Sequence, residues 1–114
     1  LIIKQLYKSL NIMFYNEIKT RLEKDWKILR TMISCIHDVK INEEHILGLC
    51  IQIFQTKHEL CHGGSFCQAI CDNDLNTVLS HGDKDALRSL KLFAYVRDYI
   101  YIDTKKLKEH EQSI

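Results

Sequence analysis

A chain of 114 residues with no proline, four glycines and a net charge of +1 is sized for one hydrophobic core, and it is too poor in turn residues to be built from many short strands. Sixteen basic groups against fifteen acidic ones give no strong general attraction for nucleic acid or an anionic membrane. No uncharged apolar run approaches the roughly 18 residues of a membrane span.

The charge is unevenly distributed: residues 1–40 and 86–114 are net basic and residues 41–85 net acidic. The five cysteines, Cys35, Cys50, Cys61, Cys67 and Cys71, are an odd number and sit inside apolar patterns, unlike a disulfide framework. This usage predicts an intracellular setting, cytoplasmic or nuclear. Leu1 is not an initiator methionine, and its hydrophobic first turn leads us to expect a domain of a longer protein.

From Ile2 the apolar residues Leu6, Leu10, Phe14, Ile18, Leu22, Trp26, Leu29, Ile33 and Ile36 recur every three or four positions, the stripe of a long helix. Unbroken over residues 2–37 it would run roughly 52 Å, longer than a domain of this size is wide, so either a break near Ser9–Asn11 or a protruding end is expected. Its other face interleaves Glu17, Lys19, Arg21, Glu23 and Lys27 at the four-residue spacing of a solvated helix surface. Trp26 is read as a core anchor.

After a connection at 38–41, Asn42 caps a second helix with Glu43 and Glu44 in its first turn and Ile41 and Ile46 as a hydrophobic staple. This helix is expected to close at Gly63–Gly64 through a left-handed residue. Ser65 and Gln68 have capping-box spacing for a short helix to about Cys71, interrupted at Asp72–Asp74. Leu75–Ser80 form a further turn or two before Gly82.

Asp83 and Asp85 open the last strong helix, whose Leu87, Leu90, Leu92, Phe93, Val96, Tyr99 and Ile100 form an arc wide enough to be buried between neighbours. It is read as the central helix. The segment 105–114 is polar, a C-terminal extension or frayed helix end beyond a single domain over 1–104. The predicted fold is all-α: a compact bundle of four to six unequal helices with a long N-terminal and a buried C-terminal helix. In outline it resembles HEAT-type or adaptor-type bundles.

Two local patterns could carry chemistry. His58-Glu59-Leu60-Cys61-His62 matches H-E-x-x-H; on a helix the histidines would share a face and hold zinc, and the glutamate would activate a metal-bound water. The string resembles the zincin metallopeptidase motif, and that resemblance implies zinc-dependent peptide hydrolysis by His58, Glu59 and His62. The continuation after His62 reads Gly63-Gly64-Ser65-Phe66-Cys67-Gln68 and lacks the longer metzincin signature. Alternatively His58, Cys61, His62, Cys67 and Cys71 offer the N and S donors of a structural zinc site, although their spacing fits no common ligand pattern.

The default reading is nonetheless a protein-interaction module, an adaptor or scaffold without a cofactor. Its expected surface is the stripe Ile2, Leu6, Leu10, Met13 and Phe14, which needs covering by a protein partner or a second copy of the chain.

Overall fold

The computed structural model of the chain describes residues 15–34, 40–60 and 63–102. Among them the structure is helical and contains no strand. The surface stripe expected at Ile2, Leu6, Leu10, Met13 and Phe14, the break near Ser9–Asn11 and the extension 105–114 lie outside the described residues.

Helix α1 (15–24) turns Ile18 and Leu22 fully inward. A break falls at Asp25, a weak helix former, where both Ile28 and Leu29 donate their N–H groups to the Asp25 carbonyl at 3.0 Å. The chain resumes as α2 (Trp26–Leu29) and one 3-10 turn (Arg30–Met32) before leaving the helical path at Ile33. The predicted stripe survives the break, because Leu29 and Ile33 are buried with Ile18 and Leu22. Trp26 is half-buried against this core and its Nε1–H donates to Glu43.

Helix α3 (Glu43–Lys57) starts as its sequence predicts: Asn42 Oδ1 accepts the N–H of His45 at 3.1 Å, with Glu43 and Glu44 in the first turn. It packs against α4 and α7 and buries Ile46, Cys50, Ile51, Ile53, Phe54, Gln55 and Thr56. This wide coverage makes α3 the central helix, the role expected of the last one.

The end of α3 departs from expectation. It stops at Lys57, six residues before Gly63. Glu59 takes the left-handed conformation, φ 58°, so that Leu60 N–H reaches the Gln55 carbonyl at 2.8 Å and Glu59 N–H the Thr56 carbonyl at 3.2 Å. This pair of bonds is the Schellman closure. Neither Gly63 nor Gly64 is left-handed. Gly63 serves close packing instead: a Cβ there would overlap Thr56 Oγ1 and stand 3.3 Å from the Cβ of Cys67.

Helix α4 (Ser65–Asp72) begins one residue earlier than the capping-box spacing implies, with Gly64 at the cap and no side-chain cap bond. Its end is a second Schellman closure around left-handed Asn73, with Asp74 N–H bonded to the Ala69 carbonyl at 2.9 Å. Asp74 then caps α5 (Leu75–His81), accepting Thr77 N–H at 3.2 Å and Thr77 Oγ1–H at 2.6 Å.

The predicted final helix is two. Asp83 caps α6 (Lys84–Arg88) by accepting the N–H of Ala86 at 2.8 Å, and α7 (Leu90–Tyr99) follows after Ser89. Ser89 is fully buried, and its hydroxyl donates to the Asp85 carbonyl at 2.8 Å, a back-bond that competes with helix continuation and bends the chain. The freed Arg88 carbonyl accepts the N–H of Ser34 at 2.9 Å. This break, with that at Asp25, is why the described residues hold more and shorter helices than the four to six expected.

Two outcomes test these accounts. Gly63→Ala should cost about 1–3 kcal/mol, the range for overpacking a filled site, because Thr56 Oγ1 cannot retreat without leaving the Gln52 carbonyl it donates to at 2.7 Å; thermal or urea unfolding checks it. For Asp83, the Ala86 N–H bond and then the His45 ring hold the carboxyl below the usual range, and partial burial opposes them. A depressed folded-state pKa gives stability that is present above the unfolded value, about 3.9, and lost as pH falls through the folded one. Asp83→Ala should destabilise by about 0.5–2 kcal/mol at neutral pH, and the difference from the parent should shrink in urea melts below about pH 4.

Candidate functional site

The described part of the H-E-x-x-H string, His58 to Leu60, does not lie on a helix as zinc chemistry of that motif requires. His58 is the C-cap of α3, with its ring 4.4 Å from the Phe54 ring centroid, and Glu59 follows in the left-handed turn. Two histidines four apart share a face only while the backbone stays helical, and here it has left the helix by the first of them. Cys61 and His62 lie outside the described residues.

The remaining zinc candidates sit between α3 and α4. Cys67 is buried, its Sγ donating to Gln52 Oε1 at 3.6 Å, and Cys71, less buried, donates to the Ile53 carbonyl at 3.6 Å. Both thiols therefore address the middle of α3. Among the described residues no three His, Cys, Asp or Glu side chains come together as a metal-holding group, so His58, Cys67 and Cys71 do not converge. Burial pushes the Cys50 thiol far above its ordinary range, with nearby Cys67 adding to the effect. Burial also raises Cys71, helped by Asp72 and opposed by Arg97 and Lys57. Since the thiolate is the reactive form, neither is an activated nucleophile.

A surface that sequence reading missed lies on the other side of α4. An apolar cleft of about 180 Å³ opens between α4, α5 and α7, lined by Ala69, Ile70, Leu75, Val78, Leu90 and Ala94, with Asn73 and Arg97 at its polar edge. Leu75 is 62% exposed, and Leu79, one turn further along α5, is 51% exposed. Tyr99 and Tyr101 also stand in water. The only sequence signal was the i, i+4 pair Leu75 and Leu79, which reads equally well as a core face.

The polar edge is rigidly made. Arg97 Nη1 donates to the Ile70 carbonyl at 2.8 Å and to Asn73 Oδ1, placing a cation on the C-terminal end of α4 where the helix dipole favours it. Its Nε and Nη2 bind the carboxylate of Asp98 at 2.8 and 2.9 Å. Asp98 holds the Arg97 pKa up, and Arg97 holds the Asp98 carboxyl below the usual range. Lys57 Nζ donates to the Arg97 carbonyl, tying the end of α3 to the same point. With every guanidinium nitrogen engaged, the edge can frame an apolar side chain better than it can capture a free anion.

No protein-family profile matches the chain, and no curated protein or solved structure shows significant similarity to it. Among the described residues no helix is long and apolar enough to cross a membrane.

If Glu59 serves only the turn, Glu59→Gly should stabilise the fold by about 0.5–1 kcal/mol, since glycine adopts positive φ without the side-chain penalty. A rise in melting temperature is the expected result. A fall would show that the carboxylate has a structural partner worth more than the relieved strain.

Proposed function

We propose that the chain is a helical protein-interaction domain, an adaptor or scaffold module, whose contact surface includes the cleft between α4, α5 and α7. The observation that carries this reading is the exposure of Leu75 and Leu79 beside an apolar cleft with a fixed polar edge. Single exposed leucines are common on soluble proteins, but a pair on one helix face next to a concave apolar wall is the form of a helix-binding groove. Burying one such side chain gains roughly 1.5–3 kcal/mol. The partner is another protein or a second copy of the chain, contributing apolar side chains to the cleft. No specific geometry favours the peptidase reading, because the helical placement it needs is absent at His58 and Glu59.

Leu75→Glu with Leu79→Glu tests this directly. Both side chains face water in the isolated chain, so each change should alter stability by no more than about 0.5 kcal/mol, leaving the melting temperature near that of the parent. Sedimentation mass over a concentration series, and affinity capture from cell extract, should show association by the parent that the double variant loses. A parent that stays monomeric and captures the same proteins as the variant would remove the support for this surface.

A further inference from the structure

Helix α3 has a glycine in its interior that its own fold does not explain. Gly48 sits within the fifteen-residue run Glu43–Lys57, where glycine costs roughly 0.5–1 kcal/mol relative to alanine. It is not left-handed, and a Cβ built on it meets nothing within 4 Å. Neither conformation nor packing within the described residues asks for it. A helical glycine with open space at its Cβ lets another molecule approach the backbone closely.

Gly48 also lies on the wall of a cleft of about 520 Å³ between α1, α2 and α3, lined further by Tyr15, Lys19, Glu23, Trp26 and Glu44 among others. Its neighbour Glu43 is already committed, accepting from Trp26 Nε1 at 3.2 Å and pairing with Arg30 at 2.9 Å. Glu23 and Glu44 have no hydrogen-bond or ion-pair partner among the described residues. Among the described residues that line the cleft, the one cation set against these two carboxylates is the ammonium of Lys19. Tyr15, 38% exposed, and half-buried Trp26 add aromatic surface, which attracts cations over its faces.

We propose that this cleft docks a basic peptide segment of a partner protein, its backbone laid against α3 at Gly48 and a lysine or arginine side chain directed to Glu23 and Glu44. This surface shares no lining residue with the α4–α5–α7 cleft, so the inference goes beyond the preceding proposal and can fail separately from it. Charge complementarity selects the occupant: an acidic or neutral segment would leave both carboxylates unanswered, and the glycine requires an occupant that approaches the helix backbone closely.

The test uses the full chain and two labelled peptides of equal length, one alternating alanine with lysine and one alternating alanine with glutamate, followed by fluorescence anisotropy at low and high salt. The lysine peptide should bind saturably and more weakly as salt rises, and the glutamate peptide should not bind. Gly48→Leu, whose Cβ meets no atom within 4 Å among the described residues and which removes the helical cost of glycine, should match or exceed the parent's melting temperature and weaken the lysine peptide by about tenfold or more, the scale of losing one good contact. Glu23→Gln with Glu44→Gln should weaken it similarly, and Lys19→Gln should strengthen it. The Leu75→Glu, Leu79→Glu variant should bind it as the parent does. Equal binding of the two peptides, no binding by the parent, or parent-like affinity in both Gly48→Leu and the double glutamine variant would overturn the proposal.

Discussion

The burial of α3 constrains everything around it. From Cys50 to Thr56 only Gln52 is exposed, so both ends of this helix must satisfy their polar groups close to where neighbouring elements crowd in. At the N-terminus this is done by Asn42, and the two acidic helix starts are locked together, with Asn42 N–H donating to Asp85 at 3.2 Å and His45 Nε2 to Asp83 at 2.8 Å. At the C-terminus the Schellman turn at Glu59 returns the carbonyls of Gln55 and Thr56 to backbone donors. The main chain can then reverse tightly enough to bring Gly63 against Thr56 and set α4 alongside.

That reversal also determines what the molecule presents to solvent. Because α4 packs on α3 through Cys67 and Cys71, its opposite side faces α5 and α7, and the short α5 covers it only in part. Ile70 and Val78 are buried, whereas Leu75 and Leu79 remain in water. Within this seven-residue helix, capped at Asp74 and stopped at Gly82, Val78 turns inward while Leu75 and Leu79 stay on its exposed face. Gly82 confirms how tightly that end is drawn in, since a Cβ there would come within 2.9 Å of Leu87 and Phe66.

How much of this the sequence made legible divides along a physical line. Helical class and the caps at Asn42 and Asp83 depend on residues within one or two turns of each other, and periodicity and residue type report them; Asp74, read only as part of an interruption, caps α5. The breaks at Asp25 and Ser89 were invisible, because apolar spacing runs through both and neither carries proline or glycine. Beside Ser89 the Arg88 carbonyl is taken up by the N–H of Ser34, far away in sequence. The end of α3 misled for the opposite reason. Gly63 and Gly64 look like a helix stop, but the glycine that matters is required by contact with Thr56, and a glutamate takes the left-handed position instead.

The same displacement takes His58 and Glu59 off the helix that the local string would need. H-E-x-x-H has meaning only as two imidazoles on one helical face, and a helix end shifted back to Lys57 turns His58 onto Phe54 and Glu59 into a turn. The candidate surfaces that replace it are both products of tertiary placement. Leu75 and Leu79 are ordinary core spacing until the packing of α5 on α4 leaves both of them in water. Gly48 is an ordinary weak point in a helix until it is found on the wall of a cleft that also bears Glu23 and Glu44. In both places a residue costs the isolated chain something that its own contacts do not return, and such a mismatch between a local choice and the fold around it is where function is sought first.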